Sequence, residues 1–456
     1  MSRPPKHPRR GRGGPKGKGQ GRRKRPAARV PSETVEVTVE RLGAQGDGIA
    51  IADILARPQT LYIAGALPGE VVRAETTAKR GDGLVAELRE VLQTSAERVT
   101  PGCPHFDHCG GCALQHLDHT AYGTWKRDRV VRALSQRGFE DTVVLDPILI
   151  GEATRRRVTF TALGRGKRVV FGFNARASHD IVAVDRCPLL VEELNALIAP
   201  LSEAMAGIVK DSARARIQVT ACENGADVTI EINTAPDLAA REALAAFVQS
   251  TDTVRIAWKQ EGLAVEPIVQ ATPPLVYLSG VPVELPPGAF LQASIEGEHA
   301  IRDAVLQGIG ADAGRVADLY CGLGSFSLPL AQRAIVDAVD ATEAPVRALE
   351  RAAGRADLGG RVSASVRDLD RQPMEAKELA KFDAVVFDPP RAGAATQAVH
   401  LAQADVARVV GVSCNPATFA RDARTLVDGG FELVLVQPID QFTYSPHVEL
   451  VAHFAR

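Results

Sequence analysis

Residues 314–326 read GRVADLYCGLGSF, and this stretch decides the architecture of the last third of the chain. Residues 314–320 form an apolar run that ends in Asp318-Leu319-Tyr320, which predicts a buried strand. Residues 321–325 carry two glycines and predict a tight turn, and Phe326 opens a helix. Glycine has no Cβ, so the backbone of such a turn can approach a ligand closely. The same pattern recurs downstream. IVDAVD ends in Asp340, Asp368 follows a third apolar stretch, FDAVVFD ends in Asp388, and the run from Arg408 to Ser413 stops at Cys414. Strands alternating with helices predict an open parallel α/β sheet, and such sheets bind ligands at the carboxyl ends of their strands. Two further strands, near Glu432–Pro438 and Glu449–Phe454, close the chain, and the last is expected to run antiparallel.

The residues at that edge suggest group transfer. Asp340, at the end of the second strand, stands where an acid binds a ribose diol. A dinucleotide site would carry a third glycine where this chain has Ser327, so a different adenosine-type cofactor is expected. The acid before the turn resembles that of S-adenosylmethionine methyltransferases, and Asp368 would lie near the adenine. Cys414, in RVVGVSCNPATFARD, is a thiol at a strand end followed by Asn415-Pro416, a candidate nucleophile for covalent catalysis. Cys321 sits inside the glycine turn and is expected to pack against the cofactor loop. Cys222 reads as a small buried hydrophobe.

Upstream lies a cysteine cluster. Cys103, Cys109 and Cys112 are separated by five and two residues on a glycine-containing loop, and Cys187 follows in Asp-Arg-Cys-Pro. Four such thiols can surround one centre. A compact triplet with a distant Cys-Pro suits a 4Fe-4S cluster, with zinc as the alternative and His105 and His108 as bystanders. The flanking stretch, about 93–285, alternates strand-like runs with two helical ones and predicts an α+β region. Arg155-Arg156-Arg157 in it are candidates for phosphate contact or, alternatively, simply the charged start of a strand. Before the cluster, residues 33–92 read as four or five short alternating strands separated by Gly, Asp and Pro turns, which predicts a small β-barrel of the oligonucleotide-binding type.

The 456 residues suffice for two to four domains at roughly 100–200 residues each, and 45% are apolar. The formal charge of −1 hides an asymmetry. Residues 1–32 hold twelve Lys or Arg and no acid, leaving 42 of the 54 bases against all 55 acids elsewhere. This tail is expected to be disordered and to favour a polyanion, RNA first among them. No apolar run has the length of a membrane span and no signal segment is evident, and the seven cysteines do not form a secreted framework. A cytoplasmic protein with no obligate protein partner is expected.

Several motifs occur in one order over about 420 residues: the barrel, the cysteine cluster, Phe290-Leu291-Gln292, DLYCGLGSF, DPPRAG, SCNPATFARD and PHVE. In that order they resemble the RNA uracil-5-methyltransferase family. The barrel, with Gly46-Asp47-Gly48 and Ala66-Leu67-Pro68-Gly69-Glu70, is similar to a TRAM domain. The resemblance implies a Rossmann-like class I methyltransferase domain over 286–456, after a basic tail (1–32), a TRAM-like RNA-binding barrel (33–92) and a central iron-sulfur domain (93–285). It implies Cys414 as nucleophile and Glu449 as general base; His447, nearby in the sequence, is a competing acid/base residue. It also implies Gln292, Tyr320, Asp340 and Asp388 around S-adenosylmethionine. The chain departs from a common family form at Ser325, where Asn is frequent, and at Asp340, where Glu is usual; both stay in the expected cofactor set with Asp368. The barrel and cluster lean toward 23S ribosomal RNA, with transfer RNA or a catalytically inactive RNA-binding homologue as alternatives. The chemistry has its own logic. Uracil C5 is a weak nucleophile until a thiolate adds at C6, and a base must later remove the C5 proton.

Overall fold

The computed structural model describes residues 32–166 and 168–456. The basic segment expected to be disordered lies outside them, apart from Ser32.

Near the N-terminus six strands, Thr34–Thr38, Arg41–Leu42, Gly48–Ile54, Arg57–Ile63, Val71–Arg80 and Gly83–Gln93, form one sheet in the order first, fifth, sixth, fourth, third, second. Their alternating apolar residues close a core of Val39, Leu61, Ile63 and Val72. The turn 66–70 is fixed by buried Glu70, whose carboxylate accepts from Leu67 N at 2.8 Å and from Arg98 Nε at 2.6 Å. A seven-stranded mixed sheet follows, with Arg157–Arg165, Arg214–Cys222 and Gly225–Glu231 near its middle and helices Ile198–Ile208 and Leu238–Ser250 packed on it.

The third large sheet carries the candidate site. Its strands are β1 (Arg315–Leu319), β2 (Ile335–Asp340), β3 (Val362–Val366), β4 (Ala384–Phe387), β5 (Arg408–Ser413), β6 (Glu432–Asp440) and β7 (Glu449–Ala455). They lie in the order β3-β2-β1-β4-β5-β7-β6. Strands β1 to β5 are parallel, whereas β7 is antiparallel to both β5 and β6. The central strands are buried on both faces, which is why VADL and AVVF read as continuous apolar runs. Helix Ile295–Ile309 covers one face, and helices Ala395–Gln403 and Pro416–Asp428 cover the other.

The cysteine-rich region interlocks with this sheet. Helix His119–Ser135 contributes Val130 and Leu134 to the core that holds Leu319 and Phe387, and Ile148–Leu149 pairs with β6 at the sheet edge. The same helix buries Lys126, whose Nζ donates to Asp440 Oδ1 at 2.7 Å and to the His447 carbonyl, while Tyr122 Oη donates to Asp440 Oδ2.

Candidate active site

The glycine turn explains itself locally. Gly322 (φ 51°) and Gly324 (φ 89°) occupy the left-handed region, and a Cβ on Gly324 would come within 2.4 Å of Leu349. Tyr320 adopts φ 63° just before them, which turns the chain sharply out of β1. Asp340 supports the loop: one oxygen accepts from Gly322 N at 3.1 Å, the other from Thr342 N at 2.7 Å. Ser325 lies half-buried at the end of the turn. Cys321 is buried among Leu323, Leu328 and Leu349, where burial pushes its thiol far up, so it packs as expected. Asp368 follows β3 at the same edge, but one of its oxygens accepts from Asp370 N and Arg371 N of its own turn.

At the far side of the edge three strand ends converge. Ser413 of β5 pairs with Leu450 of β7, so Cys414 and Glu449 are the next residues outward on neighbouring antiparallel strands. Phe387 pairs with Gly411, which brings Asp388 onto the strand beside Cys414. The local fold follows from Asn415-Pro416. Asn415 caps helix Pro416–Asp428 by accepting from Ala417 N at 3.2 Å, Pro416 takes its first turn, and Asn415 Nδ2 donates to the Arg391 carbonyl at 3.0 Å. The loop carrying Asp388 is thereby tied to the one carrying Cys414.

The electrostatics of this corner are those of buried acids. Burial, and secondarily the Asp388 charge, pushes Glu449 up to about 8, and burial pushes Asp388 up to about 7. The Cys414 thiol rises to about 11 through burial and the charges of Glu449 and Asp388, opposed by Arg391. Deeper in β1, Asp318 is fully buried and rises to about 7. Ser327 Oγ donates to its Oδ2 at 2.5 Å, and Oδ1 has no hydrogen-bond partner among the described residues. An unpartnered buried acceptor and two further desolvated carboxylates fit a cationic ligand, and S-adenosylmethionine carries both a sulfonium and an ammonium. His447 is held otherwise. Burial and the nearby Arg391 lower it to about 4, and its Nδ1 faces Arg391 Nη2 at 3.0 Å.

Two residues of this corner carry no signal in the sequence beyond position. Gln441, directly after β6, donates from Nε2 to Glu449 Oε2 at 3.1 Å and to Gln292 Oε1 at 2.6 Å, so expected site residues from distant segments meet through it. Lys126 is the other, invisible because a lone lysine in a helix reads as surface. The arginine triplet leads into strand Arg157–Arg165, one of the two readings its charges allow. Arg156 is buried in an ion pair with Glu298 at 2.5 Å and donates to the Gln292 carbonyl at 3.1 Å, while Arg157 donates to the Leu291 carbonyl. These two hold the segment leading to Gln292.

Cys103, Cys109, Cys112 and Cys187 all line one cavity of about 270 Å³, with Gln115 and Arg155. Gln115 Nε2 donates to Cys112 Sγ at 3.2 Å and Gly111 N to Cys109 Sγ at 3.4 Å. Burial and the neighbouring thiols push Cys112 up to about 12. Among the described residues no three His, Cys, Asp or Glu side chains are drawn together tightly enough to hold a single metal ion. The four thiols thus share one cavity, with N–H donors on two of the sulfurs.

A parallel sheet with an antiparallel seventh strand, a glycine turn and buried acids at its carboxyl edge is the arrangement expected of an S-adenosylmethionine-dependent methyltransferase domain. Residues 362–456 match the family model of tRNA (uracil-5-)-methyltransferase. The chain is 41% identical to an uncharacterized RNA methyltransferase of Brucella melitensis over 92% of its own length and 98% of that protein. It is 32% identical to the 23S rRNA (uracil(1939)-C(5))-methyltransferase RlmD of Aeromonas salmonicida, over 92% of its length and 96% of that protein. Its fold is similar to that of the Pyrococcus abyssi tRNA (uracil-54, C5)-methyltransferase solved with S-adenosyl-L-homocysteine. The TM-score is 0.72 at 22% identity, over 92% of this chain and all of that one. The chain belongs to the family of RNA uracil-C5 methyltransferases. Among the described residues no helix is long and apolar enough to cross a membrane.

Proposed function

We propose that the protein methylates C5 of a uridine in 23S ribosomal RNA through a covalent adduct between Cys414 and uracil C6, with Glu449 as general base. The observation that carries this reading is the adjacency of Cys414 and Glu449 at the ends of paired strands, beside Asp388. Once the Cys414 thiol has given up its proton to solvent, the thiolate adds to C6, and the electron pair of the C5–C6 bond becomes an enolate with carbanion character at C5. The bound S-adenosylmethionine supplies the methyl group, which C5 takes as the sulfonium becomes a neutral thioether. Glu449 then accepts the C5 proton, the C5–C6 double bond re-forms, and the Cys414–C6 bond breaks to return the thiolate. Asp318, Asp340, Asp368, Asp388, Gln292, Tyr320 and Ser325 form the cofactor side. A flipped base is needed to reach this edge, which favours a folded RNA loop.

The N-terminal sheet acts in this reading as a TRAM-like grip on single-stranded RNA, and Cys103, Cys109, Cys112 and Cys187 hold a 4Fe-4S cluster with a structural or RNA-positioning role. The relative named for 23S rRNA, aligned over 92% of this chain, favours ribosomal over transfer RNA. Deleting the gene should abolish 5-methyluridine at one ribosomal RNA position. A map with every such site intact, and a transfer RNA site lost instead, would reassign the substrate.

A further inference from the structure

We infer that Gln441 is the positioning residue of this site, holding Glu449 in place to receive the C5 proton and joining it to Gln292 on the cofactor side. The inference rests on the uracil-methylation reading for its catalytic consequence, but its geometry stands apart from it. The orientation of the amide is set by chemistry. Ala293 N can only donate, and it meets Gln441 Oε1 at 2.9 Å, so Nε2 must be the atom that faces Gln292 Oε1 (2.6 Å) and Glu449 Oε2 (3.1 Å). The oxygen and both amide hydrogens of a side chain only 3% exposed are thus engaged.

The surroundings are shaped for it. Ile439 pairs with Glu449 across β6 and β7, so Gln441 leaves the strand beside the carboxylate it serves. A Cβ on Gly297 would come within 2.6 Å of Gln441 Cβ, so the first turn of helix Ile295–Ile309 leaves room for this side chain. The preceding residue, Asp440, is fastened by Lys126 and Tyr122, which makes the base of Gln441 rigid. An amide donor favours the carboxylate over the acid and opposes the burial that raises Glu449. Without it, Glu449 would hold its proton more strongly and lose its fixed aim at C5.

The test uses the full-length protein and ribosomal RNA purified from a strain lacking the gene. In Gln441→Leu, S-adenosylmethionine binding should stay within a few-fold of wild type. Turnover should fall roughly ten- to a hundredfold, the scale of one hydrogen bond to a charged group. The acidic limb of the pH–rate profile should move up by about one unit or more, and a covalent RNA–protein adduct should accumulate on denaturing gels, because Cys414 still adds while proton removal stalls. In Gln441→Glu, the acidic limb should move up as well, since a second acid ionising beside Glu449 raises its hold on the proton. A merely structural role would lower activity without moving the profile or trapping the adduct, and that result overturns the inference. A double-mutant cycle of Gln441→Leu with Glu449→Gln, read by denaturant unfolding, needs no substrate. Additivity there also overturns the inference, whereas a wild-type protein that methylates no RNA, with coupling intact, overturns only the functional reading.

Discussion

Replacing Glu449 by glutamine should make the protein more stable at alkaline pH while stopping its turnover. The carboxyl is 4% exposed and is pushed from an ordinary 4.5 up to about 8 by burial and the Asp388 charge. An acid with a raised folded-state value binds its proton more tightly in the native than in the unfolded chain. Its contribution to stability is therefore whole below about pH 4.5 and lost as pH rises through about 8. A rise from 4.5 to about 8 corresponds to an effect on the order of 5 kcal/mol, of which relaxation of the paired Asp388 returns a part. The amide keeps the shape and an oxygen for Gln441 but never ionises. Melting curves of wild type and Glu449→Gln should nearly coincide at pH 5 and separate by several degrees at pH 9, given roughly 2–4 °C per kcal/mol for a domain of this size. The same variant should still transfer a methyl group once but remain bonded to the RNA through Cys414. Equal or lower stability than wild type at pH 9 would refute the argument that the charge is buried at a cost, and normal turnover would remove Glu449 as the base.

Cys414→Ala should bind S-adenosylmethionine within about twofold of wild type in calorimetry, yet lose methyl transfer by at least about a thousandfold and form no adduct. Because Asp388 rises to about 7 and Glu449 to about 8, affinity for S-adenosylmethionine should drop as pH falls from 8 to 6, on the order of tenfold, and less for S-adenosylhomocysteine, whose sulfur is neutral; isothermal titration at both pH values checks this. Lys126→Met leaves Asp440 buried without its cation and should cost about 3–5 kcal/mol in urea unfolding. Anaerobically purified protein should contain iron and sulfide in equal amounts, and Cys112→Ser should lose most of both in elemental and colorimetric analysis.

The C-terminal sheet is legible because its central parallel strands β1, β4 and β5 are buried on both faces, and because its strands end at residues that break the apolar run: Asp318 just inside β1, Asp340 at β2, Asp388 beyond β4, Cys414 beyond β5. Periodicity and a polar terminus mark such strands without any knowledge of their neighbours. Glu449 has no local mark of that kind. It opens the last strand, and only the antiparallel pairing of β7 with β5 carries it to the edge where parallel strands end. Gln441 and Lys126 are harder still, because a glutamine beyond a strand and a lysine in a helix are ordinary surface residues until tertiary contacts bury them. The arginine triplet is legible only in part: its place at the start of a strand shows in the sequence, the burial of Arg156 does not. A run of three charges looks like a surface for phosphate, but Arg156 pairs with Glu298, 142 positions away, and no local pattern anticipates that.

These long-range contacts have a common destination. Asp440, the last residue of β6, and Gln441, Tyr444 and His447, on the segment between β6 and Glu449, are each held by a group from elsewhere in the chain. Lys126 and Tyr122 hold Asp440, Ala293 and Gln292 hold Gln441, and Arg391 meets His447. Ala113 N and Leu114 N, directly after Cys112, both donate to the Tyr444 carbonyl, at 2.7 and 3.2 Å. The loop of the cysteine cluster is therefore bonded to the loop that delivers Glu449. A general base must sit within hydrogen-bond reach of the proton it removes, and a displacement of about 1 Å can cost a hundredfold in rate. A loop fixed from four directions meets that demand without a long strand of its own. It also links the cysteine-rich region to the proposed site: whatever stiffens residues 103–114 stiffens the loop before Glu449.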